Sequence, residues 1–388
     1  MPGRLGDRLW RIGQVMGAAL LLALVGSVPA SRAATIDTIA RQAILIDINS
    51  GTILFEKNAD QRMPTSSMSK IMTMYMVFER IRQGRLSLDD TLPVSERAWR
   101  MQGSKMFTAL GSRVKVEDLI RGVIIQSGND ASVVLAEGLA GSEAAFADLM
   151  NQKAKELGLS ASHFMNATGW PDDNHYSTAR DLSLLAQKIL STFPEFYKYY
   201  SETEFSYNGI KQGNRNPLLY RGIGVDGLKT GHTDAAGYGL TASAVKDGRR
   251  LVLVINGLPS MQARADESAK LIEWGFREFA SYGLVKAGEV LDEAKVWLGD
   301  ASEVPVTVER DFFVTMHREE RRGMKVTLVL EQPVKAPVAR GTVVGRLVVS
   351  APSFNSREVP VIAAQDVPQL GFFGRALAAG RHLILGGS

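Results

Sequence analysis

Ser67 and Lys70 stand three residues apart in Pro64-Thr65-Ser66-Ser67-Met68-Ser69-Lys70, just ahead of the apolar run from Ile71 to Phe78. If that run is a helix, the spacing puts a hydroxyl and an amine on one face of its first turn, near the positive end of the helix dipole. A serine hydroxyl is a poor nucleophile until a base takes its proton. Lysine can act as that base only where burial or a neighbouring cation favours its neutral form. The chemistry on offer is therefore covalent attack by Ser67 with Lys70 as proton acceptor. Ser-x-x-Lys alone is a weak sign, because an N-capping cluster beside a solvated lysine has the same letters. A second copy, Ser243-Ala244-Val245-Lys246, falls in a predicted strand, where residues three apart point to opposite faces and cannot cooperate.

Two later stretches support the first copy. Ser127-Gly128-Asn129 interrupts two helical patterns, and Lys229-Thr230-Gly231 opens a Gly- and Val-rich strand region. Ser-x-x-Lys, Ser-Asp-Asn and Lys-Thr-Gly, in that order, mark class A β-lactamases and penicillin-binding proteins. Here glycine replaces the aspartate. In this form the chain, from about Ile36 onward, resembles the low-molecular-mass penicillin-binding proteins that act as serine-type D-alanyl-D-alanine carboxypeptidases. The resemblance implies an acyl-enzyme on Ser67, with Lys70 as base and Lys229 as a second cation lowering its pKa. It implies that backbone N–H groups of Ser67 and His232 hold the oxyanion, that Ser127 passes a proton to the leaving D-Ala, and that Asn129 orients Lys70 and the substrate amide. Lys229 and Thr230 would bind the terminal carboxylate, and Gly231 would let the substrate lie against the strand. The implied partners are peptidoglycan stem peptides ending in D-Ala-D-Ala and β-lactams as covalent inhibitors, with no cofactor and no metal. Rival readings are a DD-endopeptidase, a class A-like β-lactamase and a non-catalytic peptidoglycan-binding module.

These residues need a scaffold. Ala43 to Ile48 and Thr52 to Phe55, around Asn49-Ser50-Gly51, read as a hairpin. The run after Lys70 is apolar almost all round, which predicts a buried helix stopping near Gly84. Leu86 to Leu110 reads as loop and short strand. Helices are predicted over Val116 to Gln126, Ala131 to Leu139, Phe146 to Leu157 and up to Leu190, the last after a Gly- and Asn-rich loop from Asn166 to Tyr176. His163 and His175 near that loop form no metal-ligand set with carboxylates and read as loop or packing residues. Phe205 to Tyr220 reads as an irregular hairpin. Strands then run from Gly227, from Tyr238 to Val245 and from Leu251 to Ile255, followed by a helix over about Met261 to Phe279. The expected architecture is an α/β (α+β) transpeptidase/β-lactamase-like catalytic domain over 34–282, an antiparallel sheet with an inserted helical lobe. Short strands punctuated by Gly and Pro predict a small all-β sandwich over 283–366. An amphipathic helical tail over 367–388 would gather Leu370, Phe373, Leu377 and Ile384 opposite Arg375 and His382; the resemblance implies an interfacial membrane anchor, and a helix docked on its own domain or a disordered tail is the other reading.

Residues 1–33 read as a secretory signal, with Arg4, Arg8 and Arg11 ahead of a short apolar run from Val15 to Val25. Cleavage between Ala30 and Ala33 would release an exported protein, and the resemblance implies the periplasmic face of the inner membrane. The segment carries four arginines against Asp7, so its removal lowers the net charge from +4 to +1. Nothing in that balance calls for nucleic acid. The absence of cysteine excludes disulfides and thiol catalysis.

Overall fold

The computed structural model describes residues 36–352 and 354–377. The expected leader over 1–33 and the end of the expected tail, 378–388, lie outside the described residues.

Gln42–Asp47 (β1) is buried at every position, as the apolar run from Ala43 to Ile46 requires of a strand covered on both faces. The chain turns at Gly51, at φ +69°, into Thr52–Lys57 (β2), where only Leu54 is buried. Lys70–Arg82 (α1) is buried from Lys70 through Phe78 and carries Arg80 and Arg82 in its last turn, where cations suit the dipole. Thr91–Pro93 (β3) pairs with Arg113–Lys115 (β4), and between them lies Glu96–Arg100 (α2), capped by Ser95 Oγ accepting from Ala98 N. That helix lies inside the stretch read from sequence as loop and short strand. Five residues are too few to show a period, and its cap holds it.

Val116–Ile124 (α3), Asn129–Ala140 (α4), Glu143–Leu157 (α5) and Ala179–Thr192 (α6) complete the helical lobe. After the hairpin Glu204–Tyr207 (β5) and Ile210–Gly213 (β6) come three long strands, Val225–Thr233 (β7), Gly237–Lys246 (β8) and Arg249–Leu258 (β9). Met261–Glu278 (α7) follows, capped by Ser260 Oγ. The central antiparallel sheet has the order β2-β1-β9-β8-β7, so the first hairpin closes onto strands made two hundred or so residues later. Alternation assigns its faces. Leu45, Leu253 and Ala242 pack with Leu271, Ile272 and Trp274 of α7, while Ile44, Ile46 and Val254 pack with Met68 and Leu182 on the other side. Each such fully buried aliphatic contributes roughly 1.5–3 kcal/mol.

Phe279–Val285 (β10) starts directly from the end of α7. Asp292–Trp297 (β11), Glu303–Thr307 (β12), Phe312–His317 (β13), Lys325–Leu330 (β14), Val334–Lys335 (β15), Val343–Ala351 (β16) and Phe354–Ala363 (β17) follow. β10 pairs with β13, the other six form a sheet of order β14-β16-β17-β12-β11-β15, and one core containing Val285, Val314, Val306 and Val349 lies between them. Three of these strands escape the sequence reading, the two-residue β15 among them. β10 continues a helical pattern, and β17 carries Arg357, Glu358 and Pro360 on a half-exposed strand.

The β1–β2 turn touches this second domain. Ser50 Oγ donates to Thr315 Oγ1 at 2.8 Å, and Arg357 Nη2 donates to Ser50 O at 2.7 Å. Beneath it Arg249 pairs with fully buried Asp47 and donates to the carbonyls of Gly275 and Phe279, at the end of α7 and the start of β10.

Candidate active site

Ser67 lies in a 3-10 turn, Ser66–Ser69, and not in the α-helix proper, which begins at Lys70. In a 3-10 turn residues i and i+3 eclipse, so the Ser-x-x-Lys spacing brings the two groups into direct contact. Lys70 Nζ donates to Ser67 Oγ at 2.9 Å, to Asn129 Oδ1 at 2.8 Å and to Thr168 O at 2.6 Å. Lys70 is wholly buried while Ser67 is half-buried and reaches the cleft. Burial, and then the charge of Arg215, lower the Lys70 pKa to about 7 against the opposing pull of Asp130 and Glu143.

The sequence reading expected Lys229, as a second cation, to help depress Lys70. The repulsion between the two amines falls on Lys229, which is lowered first by its own burial and then by the charge of Lys70, and Arg215 adds a cation beside Lys70 that the sequence reading did not name.

Ser127 sits at φ +60° between α3 and α4 and is buried at the cleft. A side chain on Gly128 would meet Asp130 Oδ1 at 2.9 Å, so only glycine lets the turn close. Asn129 Nδ2 donates to Gln102 O at 2.7 Å. Asp130 accepts from Met106 N and Thr108 N, both at 3.0 Å, and so ties down the loop bearing Gly103 and Ser104.

On β7, Lys229, Thr230 and Gly231 are buried, and exposed His232 stacks on Tyr238 with ring centroids 3.9 Å apart. A Cβ on Gly231 would stand 2.8 Å from Thr65 O, so glycine lets the strand pass against the turn that carries Ser67. From the opposite side Gly169, at φ +77°, leaves no room for a side chain against Ser66 O. The eight residues singled out from sequence thus fall on three walls around Ser67.

Two adjoining clefts open there. One, of about 670 Å³, is lined by Ser67, Ser127, Thr230, Gly231, Tyr238 and Arg264 among others. The other, of about 470 Å³, runs past Asn129, Thr168 and Trp170.

His175 Nε2 contacts Ser69 Oγ at 2.6 Å and Nδ1 accepts from Met165 N, a packed histidine that burial lowers to about 4. His163 Nδ1 bonds to Asn174 O. In the second Ser-x-x-Lys copy Ser243 is buried and Lys246 exposed, on opposite faces of β8. Among the described residues no group of three or more metal-ligating side chains forms a cation site. Sequence reasoning missed Arg215, Arg264, Asp130 and Gly169. Asp130 directly follows the Ser-Gly-Asn motif and could have been taken with it; no motif marks the others.

A serine in contact with a buried lysine, flanked by a second hydroxyl on a helix-linking turn and by a Lys-Thr-Gly strand, defines the class of active-serine enzymes that open amide and β-lactam carbonyls. Comparison with known proteins narrows that class. Residues 29–260 match the D-alanyl-D-alanine carboxypeptidase family, and residues 279–369 match the C-terminal domain of penicillin-binding protein 5. The chain is 39% identical over 342 residues to D-alanyl-D-alanine carboxypeptidase DacA of Haemophilus influenzae, covering 87% of each. It is 40% identical over 344 residues to DacC of Escherichia coli, covering 87% of this chain and 86% of that one. Penicillin-binding protein 5 from Haemophilus influenzae superposes with a TM-score of 0.83 at 38% identity, over 86% of this chain and 99% of that one. The chain belongs to the D-alanyl-D-alanine carboxypeptidase family.

Proposed function

We propose that this serine-type D-Ala-D-Ala carboxypeptidase shortens peptidoglycan stem peptides through an acyl-enzyme on Ser67. The observation that carries the assignment is the 2.9 Å contact between Ser67 Oγ and the Nζ of wholly buried Lys70. Neutral Lys70 takes the hydroxyl proton as Oγ attacks the carbonyl carbon of the penultimate D-Ala. Backbone N–H groups of Ser67 and His232 stabilise the oxyanion, a contribution of roughly 3–4 kcal/mol per donor. The amide C–N bond breaks, Ser127 hands a proton to the departing nitrogen, and D-Ala leaves. Water then adds to the ester, restoring the Ser67 hydroxyl and releasing the shortened peptide. Asn129 holds Lys70 and the substrate amide, Lys229 and Thr230 take the terminal carboxylate, and Gly231 lets the peptide lie along β7. A β-lactam, a cyclic amide beside a carboxylate, acylates the same hydroxyl.

The test is release of D-alanine from a soluble peptide ending in Lys-D-Ala-D-Ala. Wild type releases it and Ser67→Ala does not; release by a folded Ser67→Ala protein sinks the assignment.

The domain division at 34–282 and 283–366, the leader over 1–33 and the tail over 367–388 belong to the same reading. The enzyme works on the periplasmic face of the inner membrane, held there by its tail. Residues 372–377 are helical and leave Phe372 73%, Phe373 87% and Leu377 73% exposed, which supports a surface-seeking tail. No helix among the described residues is long and apolar enough to cross a membrane. Loss of anionic-vesicle binding on truncation after residue 366 is the expected outcome in a sedimentation assay, and undiminished binding removes the anchor.

A further inference from the structure

Lys70 Nζ meets three oxygens, Ser67 Oγ, Asn129 Oδ1 and Thr168 O, one for each proton of an ammonium. A neutral amine has two N–H bonds and one lone pair. For the lone pair to face Ser67 Oγ, the two protons must go to Asn129 Oδ1 and Thr168 O, so these two acceptors aim the base. The first is a side chain of α4. The second is a backbone carbonyl in the loop between α5 and α6, and it needs something to hold it in place.

Two side chains grip the residue before it. Thr73 Oγ1, on α1 three residues past Lys70, donates to Ala167 O at 2.7 Å, and Glu143 Oε1 accepts from Ala167 N at 3.2 Å. Asn166 Oδ1 accepts from the N–H groups of Thr168, Gly169 and Trp170, which closes the loop on itself. Glu143 opens α5 and is 4% exposed. Its other oxygen accepts from Nε and Nη2 of Arg97 on α2, an exposed residue. A contact with one backbone N–H asks only for a carbonyl oxygen, which glutamine also has. Burying a carboxylate for that purpose is costly, and a partner out in solvent offsets little of the cost. The charge has a use on the far side of the loop. Taking the Ser67 proton turns Lys70 into an ammonium, faced by the basic side chains of Arg215, after β6, and Lys229, on β7, and by His175 of the loop. Asp130 of α4 and Glu143 of α5 are the carboxylates whose charge favours that ammonium.

We propose that Glu143 is a positioning residue for acylation: it fixes the Thr168 carbonyl that aims the Lys70 lone pair at Ser67, and its charge steadies the lysine once the proton has arrived. The chemistry rests on the reading of Ser67 and Lys70 given above.

The test separates charge from contact. Glu143→Gln keeps an oxygen for Ala167 N and loses the charge, Glu143→Met keeps the bulk and loses both, and Arg97→Gln removes the exposed partner alone. The rate of Ser67 acylation by a fluorescent penicillin is followed against pH. The midpoint is expected to move to lower pH in Glu143→Gln, where an anion that favours the ammonium is gone, and to higher pH in Arg97→Gln, where that anion is less compensated. Glu143→Met is expected to lower the plateau rate above the midpoint about tenfold. A role in folding alone moves Tm and neither midpoint. A Glu143→Gln midpoint at or above the wild-type value overturns the proposal, and so does a Glu143→Met plateau within about twofold of wild type. With Glu143→Met unfolded, the Glu143→Gln midpoint decides. Lysine-selective NMR on Ser67→Ala protein follows the Lys70 titration without chemistry. An unmoved Lys70 titration on adding Glu143→Gln defeats Glu143, whereas a folded wild type that penicillin does not acylate takes down the Ser67 reading and leaves that titration readable.

Discussion

Lys70 must be buried to be a base, and burial gives it a pH signature. With its pKa lowered to about 7, the amine is protonated below that value and free above it. Acylation of Ser67 by a fluorescent penicillin is therefore expected to rise through about pH 7 and level off above. A rate flat from pH 6 to 8 contradicts this. Replacing Arg215 by glutamine removes the charge that helps hold Lys70 down, so the midpoint moves to higher pH. The same shift acts on stability. Between pH 7 and the ordinary lysine value of 10.5, the unfolded chain binds a proton that the folded one does not. This group's contribution to stability therefore grows as pH rises through that window, by up to about 1.4 kcal/mol per unit, and is lost again as pH falls toward 7. Ser67, Lys70, Ser127 and Lys229 were legible because short motifs record them. Arg215 and Arg264 were not: one lies in an irregular hairpin segment and the other on a predicted helix, no motif marks either, and only the closed fold brings them to the cleft.

The elements around the nucleophile are built to leave it nowhere else to go. β7 passes one side of the Ser66–Ser69 turn and Gly169 abuts the other. Gly169→Ala would force a Cβ into Ser66 O at a left-handed backbone position, and is expected to abolish penicillin labelling while lowering Tm. A variant labelled at the wild-type rate would show that the turn tolerates displacement. Asp130→Ala removes four acceptor contacts, three of which join α4 to the loop over the cleft, a cost of about 2–4 kcal/mol in urea unfolding. At this scale most of the fold could be read from pattern. The buried strand β1, the amphipathic helices and the β7–β9 series announce themselves by apolar spacing. The short helix α2, β10 and β17 do not, since a cap, a continuing helical pattern and a charged strand face each hide the period.

Across the whole molecule, Arg249 is the joint where sheet, last helix and second domain meet. Arg249→Ala strands the fully buried Asp47 carboxylate and two carbonyls at the domain junction, so a loss of about 3–5 kcal/mol is expected in thermal or urea unfolding. A loss under 1 kcal/mol would mean the junction is held elsewhere. The sheet order has a further consequence, in time. Ala43 of β1 lies opposite Ile255 of β9, so the first strand made waits for nearly the last one of its domain before its second edge is covered, a slow, non-local closure. The wall of the nucleophile turn formed by Gly231 also comes from that late segment. A ribosome-borne or partly threaded chain therefore holds Ser67 and Lys70 without the enclosure that deprives the lysine of its proton. If Ser67 is the nucleophile, as proposed, maturation is built into the order of synthesis: an unfinished copy is expected to stay chemically silent until the final strands arrive.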